Sequence, residues 1–154
     1  MRRVAIVTVG RSDYGLYVPI LRAVQRCDGL SAQLLVSGTH LSPEFGLTVQ
    51  DIEADGYLIA DRIEMLLSSD SPQGIARSIG LGVIGFAQSF ATDRPEMLMV
   101  LGDRFEMYAA ALAALPFKIP VAHIHGGEST CGAIDESLRH SMTKLSHLHF
   151  VATD

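Results

Sequence analysis

What most limits the folds open to this chain is a set of short, unbroken apolar runs. RVAIVTV (3–9), SAQLLVS (31–37), MLMVLG (97–102), IPVAHIH (119–125) and HLHFVAT (147–153) are dense in Val, Ile and Leu, and YLIADRI (57–63) is a weaker sixth. A strand with one wet face alternates apolar and polar residues. A strand buried on both faces does not, and that is the habit of parallel sheets covered by helices. Helical spacing fills the intervals. Leu16, Ile20, Ala23, Val24 and Cys27 are predicted to share one face after Asp13; Ile75, Ile79, Val83, Phe86 and Phe90 form a second stripe. Ala109 to Leu115 reads as a small-residue buried helix after Asp103, and Ile134, Leu138, Met142 and Leu145 as a last stripe. Strands alternating with helices define βαβ units with right-handed crossovers. The expected fold class is therefore α/β, a Rossmann-like parallel sheet flanked by helices, in a single domain over 1–154.

Composition agrees with a packed core: 48% of the residues are hydrophobic and 19% charged. No repeat, low-complexity segment or internal linker interrupts the pattern. The formal net charge of −5 argues against a general nucleic-acid surface. Within that balance the basic residues are skewed, Lys118 and Lys144 standing alone against ten arginines. Arginine grips phosphate with two parallel bonds, so a local anion pocket stays open. Cys27 and Cys131 fit no metal or redox spacing and read as free thiols. Arg2 and Arg3 lead only a short apolar run, and no run reaches the ~20 residues of a membrane span, so a cytoplasmic protein is expected.

In an open parallel sheet, ligands bind outside the carboxyl ends of the strands. GRSDYG (10–15) follows the first run; Arg11 can reach a phosphate there, or Ser12 or Asp13 simply caps the next helix. His40, in SGTHLSPEFG (37–46), reads as a surface histidine. In GDRFE (102–106), Asp103 caps a helix or acts at the site, Arg104 is a second phosphate contact, and Glu106 belongs to the first helical turn. GLGVIG (80–85) matches a dinucleotide fingerprint literally. It follows no strand, however, and reads as small residues on a closely packed helix.

In VAHIHGGESTCG (121–132), His123 and His125 are two apart on an expected strand and so share a face. With Glu128 they offer a metal site, although no further ligand spacing supports one. The other reading is a core histidine beside a glycine turn that leaves Glu128 at the sheet edge. Asp135 and Glu136 open the last helix, with Arg139 and His140 a turn later. Asp103, Glu128 and Asp135 either converge on one crevice, where crowded carboxylates suit proton transfer, or form an acidic rim.

GRSDYG, LGDRFE, HIHGGE and IDESLRHSMTKLSHLHF, in this order and spacing, resemble the N-terminal part of the UDP-N-acetylglucosamine 2-epimerase family. The resemblance is to its hydrolysing branch, which starts sialic and legionaminic acid synthesis. It implies the first of two Rossmann-like domains facing each other across a cleft, as in GT-B glycosyltransferases, with the second domain outside this chain. It implies anti elimination of UDP across C1 and C2 of the sugar, then addition of water, with no metal or other cofactor. Carried over by motif, Asp103, Glu128 and Asp135 match the acids around C1 to C3. Arg11 matches a nucleotide contact, and Arg104, Arg139 and His125 match supporting substrate-binding positions. A UDP-sugar substrate and a homodimer or tetramer are implied, with no nucleic acid and no membrane. The rival readings are a non-hydrolysing epimerase, a glycosyltransferase and a nucleotide-sugar-binding domain without turnover.

Overall fold

The apolar runs form the strands expected of them. A computed structural model of the chain describes residues 1–129 and 134–152. Strands β1 (Arg2–Thr8), β2 (Leu30–Ser37), β3 (Ile59–Ile63), β4 (Met97–Leu101), β5 (Val121–Ile124) and β6 (Leu148–Phe150) pair in parallel, in the order β3-β2-β1-β4-β5-β6. The chain moves outward from β1 to β3, then returns to lay β4 on the other side of β1. The strand order therefore reverses between β1 and β4, and the loops there part to leave a crevice. The expected end of the last run, Thr153, and Cys131 lie outside the described residues.

Helices α1 (Arg11–Gln25), α2 (Val49–Ala54), α3 (Pro72–Thr92), α4 (Phe105–Ala114) and α5 (Ile134–Leu145) connect the strands. In β1, Ala5, Ile6, Val7 and Thr8 are all sealed from solvent, as are Leu98 and Val100 of β4. These central strands justify the reading of unbroken apolar runs. Strand β6 departs from it, because it has a neighbour on one side only and all three of its residues are exposed.

The face expected of α1 is corrected. Asp13, Tyr14, Tyr17, Leu21 and Val24 are buried, while Leu16 is 62% exposed and Cys27 lies on the surface. Tyr14, Tyr17, Leu21 and Val24 step by three, four and three, a true helical stripe. The two tyrosines carry most of its apolar area, and a reading confined to aliphatic residues passes them over. Helix α2 was not foreseen, since its six residues are too few to show a period.

Helix α3 begins at Ser71, whose hydroxyl accepts the Gly74 N–H, and Pro72 occupies its first position. Its inner face is made of small residues: Gly74, Ser78, Gly82 and Ser89 are buried alongside Phe86 and Phe90. A Cβ on Gly82 would lie 2.5 Å from Met65 Cε and 2.9 Å from Ala109 Cβ, on α4. The GLGVIG segment thus lets α3 pack closely on alanine-rich α4, and the dinucleotide reading is set aside. On α5, Met142 is buried, Leu138 and Leu145 are half-buried, and Ile134 is exposed.

Candidate functional site

Two polar constructions meet at the carboxyl ends of β1, β4 and β5. The first is buried. Asp13 does not cap α1 as expected; Gly10 occupies that position without a side-chain bond. Instead Asp13 reaches back, and its Oδ2 accepts the Val9 N–H (2.9 Å) and the Thr8 hydroxyl (2.6 Å). Thr8 has spent its proton, so its oxygen accepts from His40 Nε2 (2.9 Å), and His40 Nδ1 accepts the Thr48 hydroxyl (2.7 Å). His40 is therefore a neutral core residue, fully buried, and the surface reading is corrected. Burial pushes its pKa down to about 4, against the opposing charge of Asp51. Burial pushes the Asp13 carboxyl up, and the bonds from Thr8 and Val9 offset only part of that shift.

The second construction faces the crevice. Gly102, at φ +76°, turns the chain after β4 and presents Asp103 and Arg104 in succession. Asp103, expected to cap α4 or to act at the site, does not cap; Arg104 holds the N-cap position. Asp103 is ion-paired with Arg139, which is buried on the first turns of α5. Arg104 Nη2 and Nε donate to Glu106, at 3.0 and 3.3 Å. Burial alone would lower the Arg104 pKa, but the bond and charge of Glu106, then the charges of Asp13 and Asp135, raise it. Asp103, Arg104, Asp135 and Arg139 are thus brought together.

After β5 the chain turns at once. His123 is fully buried, and its Nε2–H donates to the Gly102 carbonyl (2.7 Å). Burial lowers its pKa, and Nδ1 of the neutral ring lies 3.3 Å from the Thr143 hydroxyl, which donates its proton to the Arg139 carbonyl (3.0 Å). A Cβ on Gly126 would lie 2.7 Å from that Nδ1, so only glycine lets the turn close over the ring. His125 has φ +62°, a conformation that costs a non-glycine residue about 1–2 kcal/mol. The shared face expected of His123 and His125 is corrected: the strand ends at Ile124, and His125 swings out to solvent. Its N–H donates to the Phe150 carbonyl (2.8 Å). Glu128 follows in the same turn, half-buried. Among the described residues, no three His, Cys, Asp or Glu side chains are grouped as a metal would need.

Arg11, at the start of α1, is largely exposed, with Asp51 3.5 Å away. Together with Gly10, Ser12 and Arg104 it lines a cavity of about 490 Å³. The rest of the lining is mixed, with Phe45, Leu66, Leu67 and Ile75 beside Glu44, Ser68, Ser69 and Asp70. Another cavity, of about 450 Å³, lies between the sheet and α3 and contains none of the expected site residues. Sequence reasoning missed the buried role of Glu106. Residues two apart do not face each other within a helix. Arg104 is still extended (ψ 145°) where it meets Glu106, and GDRFE alone does not disclose that.

A six-stranded parallel sheet in this order, flanked by helices and with cations and carboxylates beside its switch point, defines a Rossmann-like α/β protein. The chain belongs to the UDP-N-acetylglucosamine 2-epimerase family, whose model matches residues 22–154. It is 40% identical over its whole length to the UDP-N,N'-diacetylbacillosamine 2-epimerase (hydrolyzing) of Legionella pneumophila, of which it covers 41%. It is 41% identical, over 98% of its length, to the GDP/UDP-N,N'-diacetylbacillosamine 2-epimerase (hydrolyzing) of Campylobacter jejuni, of which it covers 39%. The chain thus spans about two fifths of these curated relatives. Its fold matches that of the Neisseria meningitidis UDP-GlcNAc 2-epimerase bound to UDP-GlcNAc (TM-score 0.82, 21% identity, 99% of this chain and 41% of that one). The expected fold, the N-terminal domain of a two-domain enzyme of GT-B type, is the one observed.

Proposed function

We propose that this chain is the first domain of a hydrolysing UDP-sugar 2-epimerase, with the remaining contacts supplied by a second domain. The observation that carries the reading is the Asp103–Arg139 ion pair beside Arg104 at the β1/β4 switch point. It sets a carboxyl group among cations, which is what a nucleotide-diphosphate elimination needs. In that reaction a carboxylate takes the proton from C2, and the C1–O bond breaks with its electron pair leaving on UDP. The resulting glycal takes up water to give the free 2-epimeric sugar. Asp103, Glu128 and Asp135 surround C1 to C3 in this reading. Arg11 and Arg104 hold the diphosphate, Arg139 orients Asp103, and His125 lines the rim beside Glu128. A soluble, cytoplasmic homo-oligomer fits a nucleotide-sugar substrate; among the described residues no helix is long and apolar enough to cross a membrane.

The sugar is UDP-N-acetylglucosamine or its diacetylated 6-deoxy counterpart. Phe45, Leu66, Leu67 and Ile75 give the mixed cavity lining its apolar part, which can meet the extra acetyl and methyl groups that the second sugar carries where N-acetylglucosamine has hydroxyls. Names of relatives in Legionella and Campylobacter point the same way. The test is proton NMR of the full-length enzyme with each UDP-sugar in heavy water. Free 2-epimer carrying deuterium at C2, with UDP released, supports the reading. Deuterated UDP-sugar without release would assign the non-hydrolysing reaction, and no exchange with either sugar would leave a transferase or a binding domain.

A further inference from the structure

Of the buried ionisable groups that the mechanism above leaves unused, one is bonded to a residue that it uses. Glu106 is completely buried, although it lies one residue into α4 beside an open crevice. A sealed carboxylate is costly unless paired, and Arg104 is the partner, with Nη2 on Oε1 at 3.0 Å and Nε on Oε2 at 3.3 Å. The contact is two-pronged, so it fixes the plane of the guanidinium as well as its position. Arg104 itself remains 43% exposed. Two of its nitrogens are held inward, and the third, Nη1, lies 3.9 Å from where Gly10 would carry a Cβ, at the mouth of the cavity.

The carboxylate has no room to follow if Arg104 moves. Gly38, at φ +60°, crosses directly above it, and a Cβ there would be 3.2 Å from Glu106 Oε1 and 2.7 Å from the Val9 carbonyl. The loop after β2 thus forms a lid on Glu106, and the loop after β1 forms the wall along which Arg104 extends. We infer that Glu106 is a positioning residue: it holds Arg104 by its inner edge so that Nη1 alone is presented to the diphosphate. This rests on the UDP-sugar reading of the crevice. The short helix-start charge expected of Glu106 becomes part of the binding apparatus, acting through its neighbour and touching no substrate.

The test is a double-mutant cycle in the full-length enzyme. Glu106→Gln keeps the side-chain volume but replaces an acceptor with an amide that cannot hold both prongs. In the wild-type background it is expected to lower kcat/KM for the UDP-sugar and weaken UDP binding, each by about tenfold or more. In an Arg104→Ala background the same change is expected to add less than about twofold, because the residue it acts through is gone. Equal losses in the two backgrounds, or no loss in wild type, would overturn the inference. If Glu106→Gln does not fold, Glu106→Asp, which keeps the charge but withdraws it by one methylene, runs through the same cycle. A wild-type enzyme that binds UDP but turns over no UDP-sugar would sink the epimerase reading while the cycle, read in the Kd for UDP, still decides the role of Glu106. A wild-type enzyme that does neither would overturn both.

Discussion

At the scale of single residues, this protein separates two jobs that polar side chains share. His40, Thr8 and Asp13 are bonded in a chain and sealed, with half-buried Thr48 closing it, whereas Glu128 is half-buried in the turn after β5. The first group shapes stability. The pKa of His40 is depressed in the folded state, from 6.5 to about 4, so its contribution is complete above 6.5 and is lost as pH falls towards 4. At pH 4 the loss is about 3 kcal/mol. Asp13 works in the opposite sense, because its raised folded pKa favours the folded state as it takes up a proton. Subtracting the unfolding profile of His40→Gln from that of wild type isolates the histidine: the difference is expected to slope between pH 6.5 and 4 and to be flat above. Turnover is the job proposed for Glu128. Glu128→Gln in the full-length enzyme is expected to keep the fold and the affinity for UDP and to lose about 10²-fold or more in kcat. Near-normal kcat would remove Glu128 from the acid/base role.

At the scale of elements, the seam between α3 and α4 makes the sharpest claim. Gly80 and Gly82 are two apart on one helix, yet a methyl group meets nothing within 4 Å at the first and meets Met65 and Ala109 at the second. Met65 is flexible and can move; Ala109 Cβ is fixed to its backbone, so the helices must part. Gly80→Ala is expected to stabilise by about 0.5–1 kcal/mol through helix propensity. Gly82→Ala is expected to destabilise by about 1–3 kcal/mol through overpacking. Denaturant unfolding of the two variants reads both signs. The same seam shows what a sequence discloses. Strands β1, β4 and β5 were legible because unbroken Val and Ile runs have one physical meaning, and so was the helical context that disqualifies GLGVIG. The buried face of α1 was not, because tyrosine is apolar by area and polar by its hydroxyl. The depth of Glu106 and His40 was not either, since it is set by loops arriving from β1, β2 and β4, which no local spacing records.

At the scale of the whole molecule, the site residues found from motif order all fall at the carboxyl edge of the sheet, on or just beyond the loops after β1, β4 and β5, as the topology requires. In the proposed two-domain enzyme that edge is one lip of a cleft, and this chain matches about two fifths of each relative's length. The 154-residue chain is therefore expected to show no UDP release from UDP-sugar under conditions where the full-length enzyme does. Turnover by the isolated chain would show that the crevice is chemically complete. The strand order has a further consequence, during synthesis. β1 can pair with β2 as soon as both are made, but its other edge waits for β4, and the pairs that close it join Val4 to Met97 and Ile6 to Met99. At a translation rate of ~5–20 residues per second, the most deeply buried strand of the protein leaves the ribosome roughly 5–20 s before its second partner exists. A nascent chain in that interval is a half-sheet with an open central edge, a ready template for pairing with another chain.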